Sequence, residues 1–200
     1  MKGELPTYVA LGGIDGTGKS TIQHMLADRL SKGGLEVMSF AEPYHDFVKE
    51  LLEGTQDPWA DVLLFALDRW LLRPKLEEWL SQGKALISSR SLYCSVAYQG
   101  AQGVVWEDIL GANQWESLIL PDLYVILDAD PSLAYSRSSG REKFEDRGFL
   151  AKVRDEYWKI YRESKRFPTR MVMIDAAPSI GEVFEGVLAA VGDVMNLEWE

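Results

Sequence analysis

The segment formed by residues 13–21 constrains the fold of this chain more than any other feature. It reads GIDGTGKST and fits the pattern G-x-x-x-x-G-K-[ST]. An apolar run at residues 8–11 precedes it, and a helical pattern begins at Lys19. A glycine-rich loop between a strand and a helix collects backbone N–H groups, and the helix amino terminus adds partial positive charge at the same place. The segment therefore predicts a P-loop that binds the phosphates of a nucleoside triphosphate.

Each residue type in this loop has a physical reason. Glycines allow the backbone to approach phosphate oxygens without interference from a Cβ atom. The Lys19 ammonium supplies a point charge for the β- and γ-phosphates, and the Ser20 hydroxyl is the expected protein ligand of Mg²⁺. The residues of this segment expected to bind ATP are Gly13, Asp15, Gly16, Thr17, Gly18, Lys19, Ser20 and Thr21. The loop predicts phosphoryl transfer from ATP but leaves the acceptor open.

Short apolar runs alternate with longer helical patterns along the whole chain. Strands are predicted near residues 8–11, 35–41, 84–88, 123–127 and 171–174. Helices are predicted over residues 19–32, 58–81, 131–139, 148–165 and 179–194. Near-continuous apolar strands joined by helical crossovers are typical of a parallel sheet covered on both faces. The sequence thus predicts a three-layer α/β fold in which one domain spans residues 1–200.

Charge and cysteine content limit the classes of function. The chain has 21 Lys and Arg residues against 31 Asp and Glu residues, a net charge of −10, which argues against nucleic acid or a membrane as a partner. Cys94 is the only cysteine, so an intrachain disulfide is impossible and a reducing, cytoplasmic setting is expected. No apolar run approaches the roughly 20 residues that span a bilayer, and residues 1–7 lack a signal-peptide pattern.

Four later segments indicate which molecule accepts the phosphoryl group. They are FALDR at residues 65–69, RSLYCSVAYQG at 90–100, PDLYVILD at 121–128 and RSSGREKFEDR at 137–147. In this order and spacing, together with the P-loop, they resemble thymidylate kinases from end to end. The resemblance implies a P-loop NTP-hydrolase type fold with a five-stranded parallel sheet and a short lid at about residues 137–147. It also implies a cytoplasmic, commonly homodimeric enzyme that uses ATP and Mg²⁺ to phosphorylate thymidine monophosphate.

The resemblance assigns roles to residues on the acceptor side. Phe65 stacks on thymine and Arg69 donates a hydrogen bond to a base carbonyl, which suits an aromatic face and a guanidinium. Ser95, Tyr98 and Gln99 line the base and the sugar, with the Tyr98 ring excluding a ribose 2′-hydroxyl. Taken alone, Phe65 fits a core position better, Arg69 fits a solvated helix face, and Gln99 fits ordinary helix packing equally well.

The resemblance also assigns the groups that handle phosphate. Arg90 grips the acceptor phosphate or bridges it to the donor, which suits a guanidinium at the carboxyl end of a parallel strand. Asp15 faces the sugar 3′-hydroxyl or the metal. As an alternative, Asp15 only shapes the loop.

The basic stretch at residues 137–147 is expected to form the lid. The P-loop interior carries Thr17 and no arginine, so the cation that stabilises the transferred phosphoryl group comes from elsewhere. The resemblance favours Arg141 and Lys143 for this catalytic role. Arg137 is expected beside adenine, together with residues 175–177.

Three departures from the family pattern surround the acceptor phosphate and the metal. Residues 89–91 read SRS where the family usually has Asp-Arg-Tyr or Asp-Arg-His. Residues 41–43 read AEP where it usually has Arg-Glu-Pro. Residues 44–50 lack the arginine that usually reaches the acceptor phosphate, which leaves His45 and Lys49 as candidates to replace it.

These departures leave two alternatives to a thymidylate kinase with compensating residues. One is a deoxynucleoside kinase or other deoxynucleotide kinase, whose Glu-Arg-Ser segment matches Arg90 and Ser91 and would require Glu42 as the general base. The other is a non-catalytic nucleotide-binding regulator, which would not need the cations of the lid. A dimer face is expected on the apolar helix that carries Trp59, Trp70 and Trp79, although these tryptophans fit core positions equally well.

Overall fold

The computed structural model describes residues 7–137 and 146–197 and shows a five-stranded, fully parallel sheet. The strand order is β2-β3-β1-β4-β5. The strands are β1 (Tyr8–Gly12), β2 (Val37–Ala41), β3 (Ala85–Ser89), β4 (Leu123–Asp128) and β5 (Arg170–Asp175). This architecture confirms the predicted α/β fold of the P-loop type.

Helices connect the strands and cover both faces of the sheet. Those in the described residues are α1 (Lys19–Lys32), α2 (Asp46–Gly54), α3 (Pro58–Ser81), α4 (Leu92–Ala101), α5 (Trp106–Asn113), α6 (Pro131–Arg137), α7 (Arg147–Arg162) and α8 (Ile180–Met195). The first and third of these have the predicted bounds, whereas the second, fourth and fifth were not predicted. α7 ends three residues earlier than predicted because a separate 3₁₀ turn covers Ser164–Arg166.

The core lies between the sheet and the helices. β1, β3 and β4 occupy the centre of the sheet, and nearly all of their residues are buried. The edge strand β2 is half exposed. α1 packs with α8 over the sheet, while α4 contacts both α3 and α7. In the ranges 7–137 and 146–197, none of the helices has the length and apolar character needed to cross a membrane.

Glycines seat the loop after β1 against its neighbours. Gly13 has a φ of 130°, and a Cβ atom there would lie 2.3 Å from the Leu127 carbonyl oxygen at the end of β4. Gly16 has a φ of 86°, and a Cβ atom there would lie 2.0 Å from the Ala134 carbonyl oxygen of α6. Any other residue would be strained at both positions and would push the loop away from the sheet edge.

Candidate active site

A cleft of about 750 Å³ opens above the P-loop at the carboxyl edge of the sheet. Its walls come from the P-loop, the ends of β2 and β3, the end of α6 and the segment leading into α8. The lining residues are Asp15, Gly16, Thr17, Gly18, Lys19, Ser20, Thr21, Ala41, Ser89, Arg90, Arg137, Ala176, Pro178, Ser179, Ile180 and Val183. The cleft therefore brings most of the residues predicted to bind ATP together with Arg90.

Lys19 lies folded over its own loop. Its Nζ atom donates to the carbonyl oxygens of Gly13 at 3.0 Å and Ile14 at 2.9 Å, and lies 3.3 Å from Asp15 Oδ1. Burial lowers the pKa of Lys19, and the Asp15 carboxylate opposes that effect. The ammonium is thus held at the mouth of the loop, where phosphate oxygens are stronger partners than carbonyl oxygens.

Asp15 joins the P-loop to Arg90. Asp15 is only 3% exposed, and its Oδ1 atom accepts from Arg90 Nη2 at 3.0 Å. Burial favours the neutral acid, but Lys19, Arg90 and the Tyr98 hydroxyl together lower the pKa of Asp15 to about 2. The carboxylate is therefore ionised at neutral pH.

The backbone of Arg90 adopts an uncommon conformation. Its φ is 75°, in a region that residues other than glycine rarely occupy. Its N–H group donates to the Leu11 carbonyl oxygen of β1 at 2.9 Å, and its guanidinium lies 5.7 Å from the centre of the Tyr98 ring. Strained backbone of this kind is concentrated at functional sites, and here it aims a cation at the P-loop.

A second, narrow pocket lies beside the cleft and shares Arg90 with it. Its volume is about 20 Å³, and the lining residues are Glu42, Phe65, Arg69, Arg90, Ser91, Cys94, Ser95, Tyr98 and Gln99. Every residue predicted to read the base or the sugar from α3 and α4 therefore lies at one place.

Arg69 is buried, and it therefore does not lie on a solvated helix face. Its Nε and Nη2 atoms lie 2.8 Å and 2.7 Å from Glu42 Oε2. Nη2 donates to Ser95 Oγ at 2.8 Å, and Nη1 donates to Asn113 Oδ1 at 2.8 Å. The Phe65 ring lies 5.6 Å from the centre of the guanidinium. Burial raises the pKa of Glu42, and the charge of Arg69 opposes this rise.

Two buried polar atoms in this pocket have no hydrogen-bond partner among the described residues. They are Oε1 of Gln99 and Oγ of Ser91. A buried acceptor without a partner costs about 1 to 3 kcal/mol, and most such groups in proteins are paired. A polar ligand in the pocket would satisfy both atoms.

Arg137 fixes the far end of the cleft. Its Nη1 and Nη2 atoms donate to the carbonyl oxygens of Ala176 at 2.6 Å and Ala177 at 2.9 Å. The end of α6 is thereby tied to the loop between β5 and α8, where the sequence predicted adenine. Arg141 and Lys143, the predicted catalytic cations of the lid, lie outside the described residues.

His45 and Lys49, the two candidates to replace the arginine that usually reaches the acceptor phosphate, differ in their surroundings. Asp68, fully buried on α3, accepts from the backbone N–H groups of Tyr44 and His45 and from His45 Nδ1 at 2.8 to 2.9 Å. Lys49 donates to Asp46 on the surface at 2.7 Å. Sequence reasoning did not assign Asp68 a role, although it lies inside the FALDR segment.

Comparison with known proteins shows the family of this chain. The sequence model of the family described as thymidylate kinase matches residues 11–187. A probable thymidylate kinase from Pyrobaculum calidifontis is 38% identical over 194 residues, covering 94% of this chain and 97% of the relative. A thymidylate kinase from Leptospira borgpetersenii is 31% identical over 199 residues, covering 94% of each chain. This protein therefore belongs to the thymidylate kinase family.

Proposed function

We propose that the protein transfers the γ-phosphoryl group of ATP to thymidine monophosphate. The bond between the γ-phosphorus and its bridging oxygen breaks, a new bond forms to an oxygen of the acceptor monophosphate, and the products are ADP and thymidine diphosphate. The observation that carries the proposal is the place of Arg90, which lines both the P-loop cleft and the Arg69 pocket. A guanidinium between the cleft and the pocket binds the phosphate that receives the phosphoryl group.

On the donor side, the P-loop amides and Lys19 hold the triphosphate, and Arg137 supports the adenine end. Lys19 exchanges its carbonyl contacts for the β- and γ-phosphate oxygens. Mg²⁺ would be held by the exposed Ser20 hydroxyl and by phosphate oxygens, and it neutralises phosphate charge when bound. The described residues include no group of three or more His, Cys, Asp or Glu side chains placed to hold a metal. Mg²⁺ is usually bound through few protein ligands, substrate phosphates and water.

On the acceptor side, the pocket offers one hydrogen-bond donor and one acceptor, the two kinds of group that one edge of thymine requires. Nη1 of Arg69 carries a second N–H group with no acceptor among the described residues, and Gln99 Oε1 is a free acceptor. A carbonyl beside a ring N–H satisfies both, whereas cytosine presents an amino group beside an unprotonated nitrogen. The pocket is too narrow for a base in this structure, and we infer that the half-buried Phe65 ring moves outward when a base binds.

Glu42 argues against the deoxynucleoside kinase alternative. That alternative requires a free carboxylate to take the proton of a sugar hydroxyl. Here Glu42 is 6% exposed, and one of its oxygens is bound to two nitrogens of Arg69. Family membership also favours the monophosphate as acceptor over a nucleoside, and it favours an enzyme over a regulator.

An exposed apolar face supports a homodimer. Trp59, Leu63, Leu67 and Leu71 repeat every four residues along α3, and each is more than 40% exposed. Exposed apolar surface of this extent marks an interaction site, and the stripe lies away from the Arg69 side of the helix. Two of the three tryptophans expected on this face instead point elsewhere: the Trp70 indole binds the Asn113 carbonyl, and Trp79 packs on Phe40. A Leu63→Glu variant should run as a monomer in light scattering, and an unchanged mass would contradict the dimer.

The extent of the family match supports the remaining parts of the proposal. It covers residues 11–187, which fits a single domain spanning the whole chain. A kinase of free nucleotides acts where ATP and deoxynucleotides are available, which supports a location in the cytoplasm.

A panel of acceptors tests the proposed function. ATP consumption is measured with thymidine, thymidine monophosphate, deoxyuridine monophosphate and deoxycytidine monophosphate at equal concentrations. Thymidine monophosphate should give the highest kcat/KM, and deoxycytidine monophosphate should be a poor acceptor. Faster phosphorylation of thymidine would instead establish a deoxynucleoside kinase, and the absence of turnover with every acceptor would support a regulator.

A further inference from the structure

Asn113, the last residue of α5, contacts the guanidinium of Arg69 from outside the segments that carry the family resemblance. It is 0% exposed, and its Oδ1 atom accepts from Arg69 Nη1 at 2.8 Å. Its Nδ2 atom donates to the Ile109 carbonyl oxygen at 2.8 Å. Because a carbonyl oxygen can only accept, the amide must present its oxygen to Arg69. The oxygen and the nitrogen of the Asn113 side-chain amide therefore both form hydrogen bonds within the protein.

The other contacts of Arg69 leave one edge of its guanidinium for Asn113 to hold. Glu42 binds the edge formed by Nε and Nη2, and Nη2 also donates to Ser95 Oγ and to the Ser91 carbonyl oxygen. The guanidinium is planar, so contacts at both edges fix the plane as well as the position of its centre. Among the residues the structure describes, Asn113 provides the acceptor at Nη1. Its removal would leave the plane held only at Nε and Nη2, so the plane could tilt about the line that joins these two atoms.

The N–H group left over on Nη1 is the one available to the base. The two hydrogens of Nη1 lie in the plane of the guanidinium, so the direction of the first determines the direction of the second. When Asn113 accepts the first hydrogen, the second hydrogen has no acceptor in the described part of the chain. Nη1 is part of Arg69, which lines the narrow pocket. The position of Asn113 thus controls the donor that a ligand meets.

We propose that Asn113 is a positioning residue that sets the direction of the Arg69 N–H group that reads the base carbonyl. The inference rests on the proposed function, because it assumes that a pyrimidine occupies the Arg69 pocket. Asn113 does not touch the base in this account. It acts on base selectivity through Arg69, from a helix that the sequence resemblance does not connect with the site.

The test compares Asn113→Ala with Trp70→Phe. The second variant removes the indole N–H that donates to the Asn113 carbonyl oxygen at 3.2 Å, so it loosens α3 from α5 while leaving every hydrogen bond of Arg69 in place. KM and kcat are measured for thymidine monophosphate at saturating ATP, and KM for ATP is measured at saturating thymidine monophosphate. The ratio of kcat/KM values for thymidine and deoxycytidine monophosphates is also measured. KM and this ratio do not depend on how much of each variant is folded.

Asn113→Ala should raise KM for thymidine monophosphate about tenfold, equivalent to about 1.4 kcal/mol, and should lower the preference over deoxycytidine monophosphate by a similar factor. KM for ATP should stay within about twofold, and Trp70→Phe should change neither quantity beyond that range. A variant that melts at lower temperature but keeps the wild-type KM and selectivity would overturn the inference, as would equal effects of the two substitutions. If the wild-type protein itself fails to phosphorylate thymidine monophosphate, the proposed function is wrong and the inference fails with it.

Discussion

Ala41 and Ser89 are direct neighbours at the ends of the parallel strands β2 and β3, and both line the P-loop cleft. These are the positions where the family pattern usually carries arginine and aspartate. Side chains at paired positions of adjacent strands lie on the same side of the sheet, close enough to interact. The two departures that the sequence presents 48 residues apart (89 − 41) are therefore adjacent in space. They remove one positive and one negative charge together and leave the net charge of the cleft unchanged.

This adjacency predicts that positions 41 and 89 are energetically coupled. In Ser89→Asp, a second carboxylate beside Arg90 competes with the acceptor phosphate for the guanidinium, and KM for thymidine monophosphate should rise about tenfold, or about 1.4 kcal/mol. Adding Ala41→Arg supplies a partner for the new carboxylate, so the double variant should return to within about threefold of wild type. The measurement is a double-mutant cycle of kcat/KM that includes Ala41→Arg alone. Effects that simply add would show that the two positions act independently.

The buried pair of Glu42 and Arg69 predicts that substitutions at the two positions have effects on the free energy of unfolding that do not add. Removing one partner leaves the other charge buried and uncompensated, which typically costs about 3 to 5 kcal/mol. Arg69→Met should therefore destabilise the protein by about that amount, whereas Glu42→Gln with Arg69→Met should cost clearly less. Urea unfolding of the wild type, both single variants and the double variant checks this. A double variant as unstable as the sum of the single changes would contradict the pairing.

Asp15 predicts a defined pH dependence of stability. Its pKa in the folded protein is about 2, below the ordinary value of 3.8. Ionised Asp15 therefore stabilises the fold above about pH 3.8, and this contribution, roughly 2 kcal/mol, is lost as the pH falls toward 2. Between about pH 5 and about pH 2.5, the Asp15→Asn variant should lose less stability than the wild type. Asp28→Asn, which changes an exposed carboxylate paired with Lys32, should follow the wild-type curve. Identical curves for all three proteins would contradict the assigned role of Asp15.

Local signals explain which elements were predictable from the sequence. The bounds of α3 were predicted correctly because Pro58 opens the helix and Asp57 caps it through the Trp59 N–H group. α4 was missed as a helix because residues 92–99 are all buried. A helix surrounded by protein has no polar face, so its sequence lacks the alternation that reveals a surface helix. α2 and α5 have only nine and eight residues, too few for a clear periodic pattern.

The candidate site also contains some residues that local sequence signals reveal and some contacts that such signals do not reveal. The P-loop, Phe65, Arg69 and Arg90 could be proposed from the sequence because each lies in a short recognisable segment, and the fold brings those segments to one edge of the sheet. The contact between Asn113 and Arg69 joins residues 44 positions apart and leaves no pattern in a single sequence. The pairing of Ala41 with Ser89 depends on strand register, which becomes visible only when the sheet is formed.

The most direct test of the account follows phosphorus atoms through the reaction. ³¹P NMR is recorded on a mixture of the protein, Mg²⁺, ATP and thymidine monophosphate, with Lys19→Ala as the inactive comparison. The wild type should form ADP and thymidine diphosphate in equal amounts, and Lys19→Ala should be slower by about 100-fold or more while keeping the wild-type circular dichroism spectrum. Formation of ADP and free phosphate while thymidine monophosphate remains unchanged would contradict the account, and so would unaltered transfer by Lys19→Ala.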